Sequence, residues 1–165
     1  MSNLSKGIVL CVPFATWAII RVCCYILFSI NCGDHMERAG TANSIDLAKT
    51  ELRYVVDYAK SHNLTDGYTS VLYNRPTQDI AFWFNNMQTS LNELENVKPT
   101  ATELEKSNIL IKLRETVHSK DNSAHYPWGL EIYPHNIAMA IFGFISLILS
   151  FIGLHFLHEF AMWDL

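Results

Sequence analysis

The sequence predicts an all-α membrane protein: two transmembrane helices, one near each end, flanking a small helical-bundle extramembrane domain with at most a short two-stranded β patch. Three observations lead there. Half of the 165 residues are hydrophobic and only 17% are charged, a balance too apolar for an ordinary soluble domain of this length. Two apolar runs, residues 7–30 and 137–154, are each long enough to cross a hydrocarbon core of about 30 Å. Between them, apolar residues recur at helical spacing. The expected division is an N-terminal transmembrane helix at 1–31, a helical domain at 32–133, and a C-terminal transmembrane helix with a short tail at 134–165.

The first run is interrupted only by Arg21, and Lys6 lies just ahead of it. A cleaved signal peptide is its rival reading, but the apolar run resumes after Arg21 and no A-x-A-like cleavage site follows. The second run carries no charge, and Tyr126, Trp128 and Tyr133 before it and Phe160 and Trp163 after it form an aromatic belt. Two spans place both termini on one side. Lys6 favours the cytoplasm for them, in a plasma or bacterial inner membrane, with the middle domain on the opposite face, where Asp34, Glu37 and Glu131 make the inner flanks acidic.

In the middle domain, Ile45, Ala48, Leu52, Val55 and Ala59 mark a helix at about 44–62, with Ser44 or Asn43 as N-cap and no strong break between it and the first span. A second helix at about 77–97 aligns Ile80, Trp83, Phe84, Met87, Leu91 and Leu94 in one stripe. Thr100-Ala101-Thr102-Glu103 reads as a capping box, the threonine hydroxyl meeting the N3 amide while the glutamate reaches back to the cap, and opens a third helix at about 101–118. This third helix is expected to pack through Leu104, Leu110, Ile111, Leu113 and Val117, antiparallel to the second. Residues 67–73 and 129–133 suit extended chain and are expected to pair as the β patch. Residues 119–124 read as a loop.

Arg21 demands compensation, because a guanidinium near mid-bilayer costs roughly 2.5–3.5 kcal/mol on insertion scales. Gly7, Cys11, Ala15 and Ala18 share its helix face. The other span carries a matching small-residue stripe of Ala140, Gly143, Ser146, Ser150 and Gly153, and small residues let helices approach closely. An antiparallel hairpin in simple register sets Arg21 level with 143–146, within reach of the Ser146 hydroxyl. Snorkelling to the domain-side surface, or a carboxylate of a partner subunit, are the other ways to satisfy it.

The remaining signals are thin. The net charge of −4 leaves no basic excess for nucleic acid. His155, His158 and Glu159 lack the order of a hydrolytic zinc site, and Cys32 is the only thiol near the middle domain, so no disulfide is expected there. No nucleophile elbow or phosphate loop occurs, so neither an enzyme, a cofactor nor a metal site is expected. The segment holding Tyr68, Tyr73, Arg75 and Asp79 combines aromatic and arginine residues of the kind that anchor interfaces. The sequence thus points to a non-enzymatic accessory, assembly or structural subunit that meets other membrane subunits, or itself, through its domain and transmembrane hairpin. A homo-oligomeric channel with Arg21 near the pore is the alternative, and a ligand-sensing relay the third.

Overall fold

The computed structural model describes residues 3–118 and 124–163, so the expected loop at 119–124 lies almost wholly outside the described residues. The described chain is mostly helical: α1 (Asn3–Phe28), α2 (Asp34–Thr41), α3 (Ile45–Ser61), α4 (Ile80–Glu95), α5 (Glu103–Val117) and α6 (Asn136–Trp163). A five-residue π turn, Ser29–Gly33, joins α1 to α2 without a break, making one helix of 39 residues from Asn3 to Thr41. This helix and α6 are each long and apolar enough to cross a membrane.

The π turn has a packing reason. Phe28, Cys32 and Met36 stand four apart and are all buried, and a wider turn keeps such a series on one side of the helix. Ser29 Oγ donates to Asp34 Oδ1 at 2.9 Å across the turn. The chain then turns extended at Ala42, and Ser44 caps α3 by accepting from the Leu47 amide. The sequence expectation of an unbroken helix through this stretch is therefore corrected: the stalk ends at Thr41, because a serine side chain offers the next helix its own start.

The domain core joins α2 and α3 (Met36, Ala39, Leu52, Val55, Val56, Ala59) to the stripe of α4 (Ile80, Trp83, Met87, Leu91, Leu94), with Leu113 and Val117 from α5. Leu104 and Ile111, expected in that core, are exposed instead. The face α5 buries is set by its approach to Gly40. A Cβ there would stand 2.6 Å from both Val117 Cγ2 and His118 Cε1, and Arg114 Nε donates to the Gly40 carbonyl at 3.1 Å. Glu51, buried between α2 and α3, meets Arg38 and His35, each at 2.6 Å.

The expected β patch is not formed. Residues 67–73 meet the segment before α4, through a single Tyr68–Asp79 bridge, while Leu130–Ile132 curls into a 3₁₀ turn. Gly129, at φ +89°, starts that turn in a left-handed conformation that glycine adopts without steric cost, which ends any extended run there.

Candidate functional site at the junction of hairpin and domain

Helices α1 and α6 lie antiparallel along a seam of small residues. At one end, a Cβ on Gly7 would come within 2.9 Å of the Gly153 carbonyl oxygen, and one on Gly153 within 2.8 Å of that of Gly7. Further along, Ser150 Oγ lies 3.8 Å from Cys11 Sγ. Trp17 then packs on Gly143, where a Cβ would stand 2.7 Å from the indole, and its Nε1 donates to the Met139 carbonyl at 2.9 Å. Gly143 and Ser146 are buried and Ser150 is half-buried.

These contacts set a register different from the simple one, and Arg21 falls near Asn136 and Met139 rather than 143–146. The shift is roughly two helical turns. Its cause is the bulk of Trp17, which occupies the gap at Gly143 on the face assigned from sequence to Ala18, while Ala15 faces outward, exposed. Ser146 consequently does not meet Arg21; its hydroxyl donates to the Gly143 carbonyl of its own helix at 3.0 Å.

Arg21 is satisfied on the domain side. Its Nη2 lies 3.0 Å from Glu131 Oε1, with side-chain exposures of 22% and 6% respectively, and its guanidinium sits 5.7 Å from the centre of the Trp128 ring. Direction matches snorkelling, but the counter-charge comes from the same chain, not from a partner subunit. A charge-assisted contact of this kind joins the first helix to the segment immediately before the last.

Beside this pair lies a partly open cavity of about 150 Å³, bordered by Trp17, Arg21, Val71, Trp128, Met139 and Ala140 and reached by Thr69 and Asn136. Two backbone bonds bring Thr69 here: its amide donates to Gln78 O at 3.1 Å, and Ile80 N to Gly67 O at 3.0 Å. Asn136, the first residue of α6, donates through Nδ2 to Gly129 O at 2.8 Å. Thr69 and Asn136 are 1% and 6% exposed, yet Thr69 Oγ1 and Asn136 Oδ1 have no hydrogen-bond partner. Buried polar atoms are seldom left so.

The four residues singled out between positions 68 and 79 do different things. Asp79 caps α4, accepting from Phe82 N at 3.0 Å. Arg75 donates to Tyr73 Oη at 2.7 Å and both are exposed, as is Tyr68. Neighbouring Leu72, 90% exposed, is the most solvent-facing large apolar side chain of this segment. Sequence reasoning missed Trp17, Thr69 and Asn136. The four-residue spacing of Trp17 and Arg21 was the one available signal, since it sets both on one helix face; nothing local distinguishes Thr69 or Asn136.

Elsewhere, His155 Nε2 stands 3.6 Å from Glu159 Oε1, and among the described residues no group of His, Cys, Asp and Glu is arranged to hold a metal. Burial pushes the Tyr126 phenol above its ordinary range, with Tyr25 and Glu131 adding to the effect. Comparison with family models, with curated proteins and with solved structures finds no match to this chain.

Proposed function

We propose that the chain is a two-span integral membrane protein without enzymatic activity that serves as an accessory or assembly subunit of a membrane complex. The observation that carries the membrane part is the outer surface of the hairpin: Ile8, Val12, Ile19, Val22, Phe144, Ile148 and Phe151 are exposed apolar side chains on helices whose shared seam brings Gly7 and Gly153 into backbone contact and sets Trp17 against Gly143. Such an inside-out distribution suits lipid as the surrounding medium. Both termini belong to one end of the hairpin, and we assign them to the cytoplasm and the domain to the opposite face.

The subunit role rests on the exposed Leu72, Tyr73 and Arg75 segment, which offers aromatic, aliphatic and cationic groups together. The Arg21–Glu131 pair weighs against a pore, since an arginine already neutralised within its own chain has little charge to lend an anion-attracting ring. Gentle solubilisation of the native membrane, followed by native mass determination, tests the reading. A particle containing other proteins is the expected result; a lone monomer overturns the subunit role, and a ring of identical copies restores the channel.

A further inference from the structure

We infer that the pocket between Arg21 and Tyr126 holds the phosphocholine headgroup of a membrane lipid, with the phosphate on the Arg21 guanidinium and the quaternary ammonium among the aromatic rings beside Glu131. The inference rests on the two-span reading, which sets the pocket at headgroup depth. Helix α1 lends Arg21, Val22 and Tyr25, and the segment before α6 lends Tyr126, Trp128 and Glu131; together they border one open space of about 250 Å³. A cavity of about 150 Å³ already holds a benzene-sized group, so a trimethylammonium group and its phosphate have room.

Depth follows from the hairpin. Arg21 shares a cavity with Asn136 and Met139 in the first turn of α6, so it stands level with the domain-side end of that span. Tyr25 lies one turn, about 5 Å, further toward the domain, in the layer where headgroups begin and interfacial aromatics gather. The pocket meets the lipid-facing surface: Val22 and Tyr25 are 56% and 55% exposed, and Val22 belongs to the outer apolar face of the hairpin.

The charges select a zwitterion. Arg21 meets Glu131 through Nη2. Its Nε and Nη1 have no hydrogen-bond partner among the described residues and are not among the buried polar atoms that lack one, so these donors stay accessible to a phosphate. The Arg21–Glu131 pair is neutral overall, and a ligand with one charge of each sign satisfies it without leaving a net charge. The cationic end goes to Tyr25, Tyr126 and Trp128, because aromatic faces attract quaternary ammonium. Trp128 already holds the Arg21 guanidinium 5.7 Å from its ring centre. Burial, then Tyr25 and Glu131, holds the Tyr126 phenol above its ordinary range, so electronegative groups converge where the ammonium sits. Phosphatidylglycerol has the same phosphate but no cation, and leaves the rings unused.

The test uses the full chain. Alkaline carbonate extraction of membranes comes first: release of the chain overturns the two-span reading and this site with it, whereas retention leaves the site to be judged alone. Native mass spectrometry of the retained protein in detergent then measures the lipid bound per chain. The expected result is one phosphatidylcholine, with phosphatidyl-3,3-dimethylbutanol, in which carbon replaces the choline nitrogen, bound about ten-fold more weakly for want of the cation. Tyr25→Ala is expected to weaken phosphatidylcholine about five-fold and Tyr25→Phe to leave it unchanged, with the melting temperature of both variants held, because the Tyr25 side chain is largely exposed. Glycerophosphocholine is expected to compete far more weakly, since it lacks the acyl chains that lie along the hairpin. Absence of a tightly held phosphatidylcholine, equal binding of the uncharged isostere, or undiminished binding by Tyr25→Ala each overturns the site. Glycerophosphocholine competing as well as the lipid overturns the membrane as the source.

Discussion

The hairpin and the domain are both helical, yet they are built on opposite plans. The hairpin closes through Gly7, Gly153, Cys11 and Ser150, with backbones in near contact and large apolar side chains turned outward. The domain buries its large side chains, Leu52, Ile80, Met87 and Leu94, and carries surface ion pairs such as Arg53–Glu95 and Lys112–Glu93. The lesson is that helix packing follows the medium. Where water drives burial, bulk goes inside; where apolar surroundings remove that drive, close approach and dispersion between backbones hold the helices together.

Four predictions, each with its own control, break or sharpen this contrast. The largest effect is expected from Leu52→Ala, which empties part of the domain core and is predicted to cost about 2–5 kcal/mol. Phe144→Ala on the outer hairpin face should change the melting temperature of the solubilised full chain far less, and equal losses would show that the hairpin buries that face. Next is Glu131→Gln, which strands Arg21. For a buried pair the loss is about 3–5 kcal/mol, and partial exposure of Arg21 places the expectation near the low end. The double replacement Arg21→Met with Glu131→Leu should recover most of it, and failure to recover would mean that the pair acts through something other than charge.

Gly153→Leu follows, at about 1–3 kcal/mol for overpacking, because the added side chain meets the Gly7 carbonyl and Cys11. Its readout is loss of crosslinking between cysteines introduced at the facing ends of α1 and α6. The smallest effect is a pH effect on α5. The Thr102 amide and then its hydroxyl hold the Glu105 carboxyl below its ordinary value. A carboxyl depressed in the folded state stabilises above its unfolded pKa and loses that contribution as pH falls through the folded one. The protection of amides in the first turn of α5, measured against their intrinsic exchange rates, should therefore fall as the Glu105 carboxylate is protonated on acidification, and Thr102→Ala should abolish the step.

Much of the domain was legible in the chain because its signals are local. The stripe from Ile80 to Leu94 recurs at helical spacing, and a Thr/Glu capping box ahead of α5 was legible. It closes between Thr102 and Glu105, two residues beyond the Thr100–Glu103 pair that the spacing suggested, because the chain turns helical only after Thr102. Errors arose where local pattern met a distant partner. Leu104 and Ile111 have the right spacing but the wrong side of α5, because Gly40, far away in sequence, admits Val117 and His118 instead. Residues 129–133 alternate like a strand, yet Gly129 turns them.

The amino-acid order alone determined that this protein has two long apolar helices around a helical domain, since hydrophobic periodicity and length act within each segment. It also marked Arg21 as a residue in need of compensation. Only the tertiary structure decided the register of the hairpin, the choice of Glu131 as counter-charge, and the placement of Thr69 and Asn136 at one cavity. Those outcomes depend on how a Trp17 side chain fits a gap at Gly143 and on residues far apart in the chain, where shape complementarity in three dimensions has no counterpart in spacing along the chain.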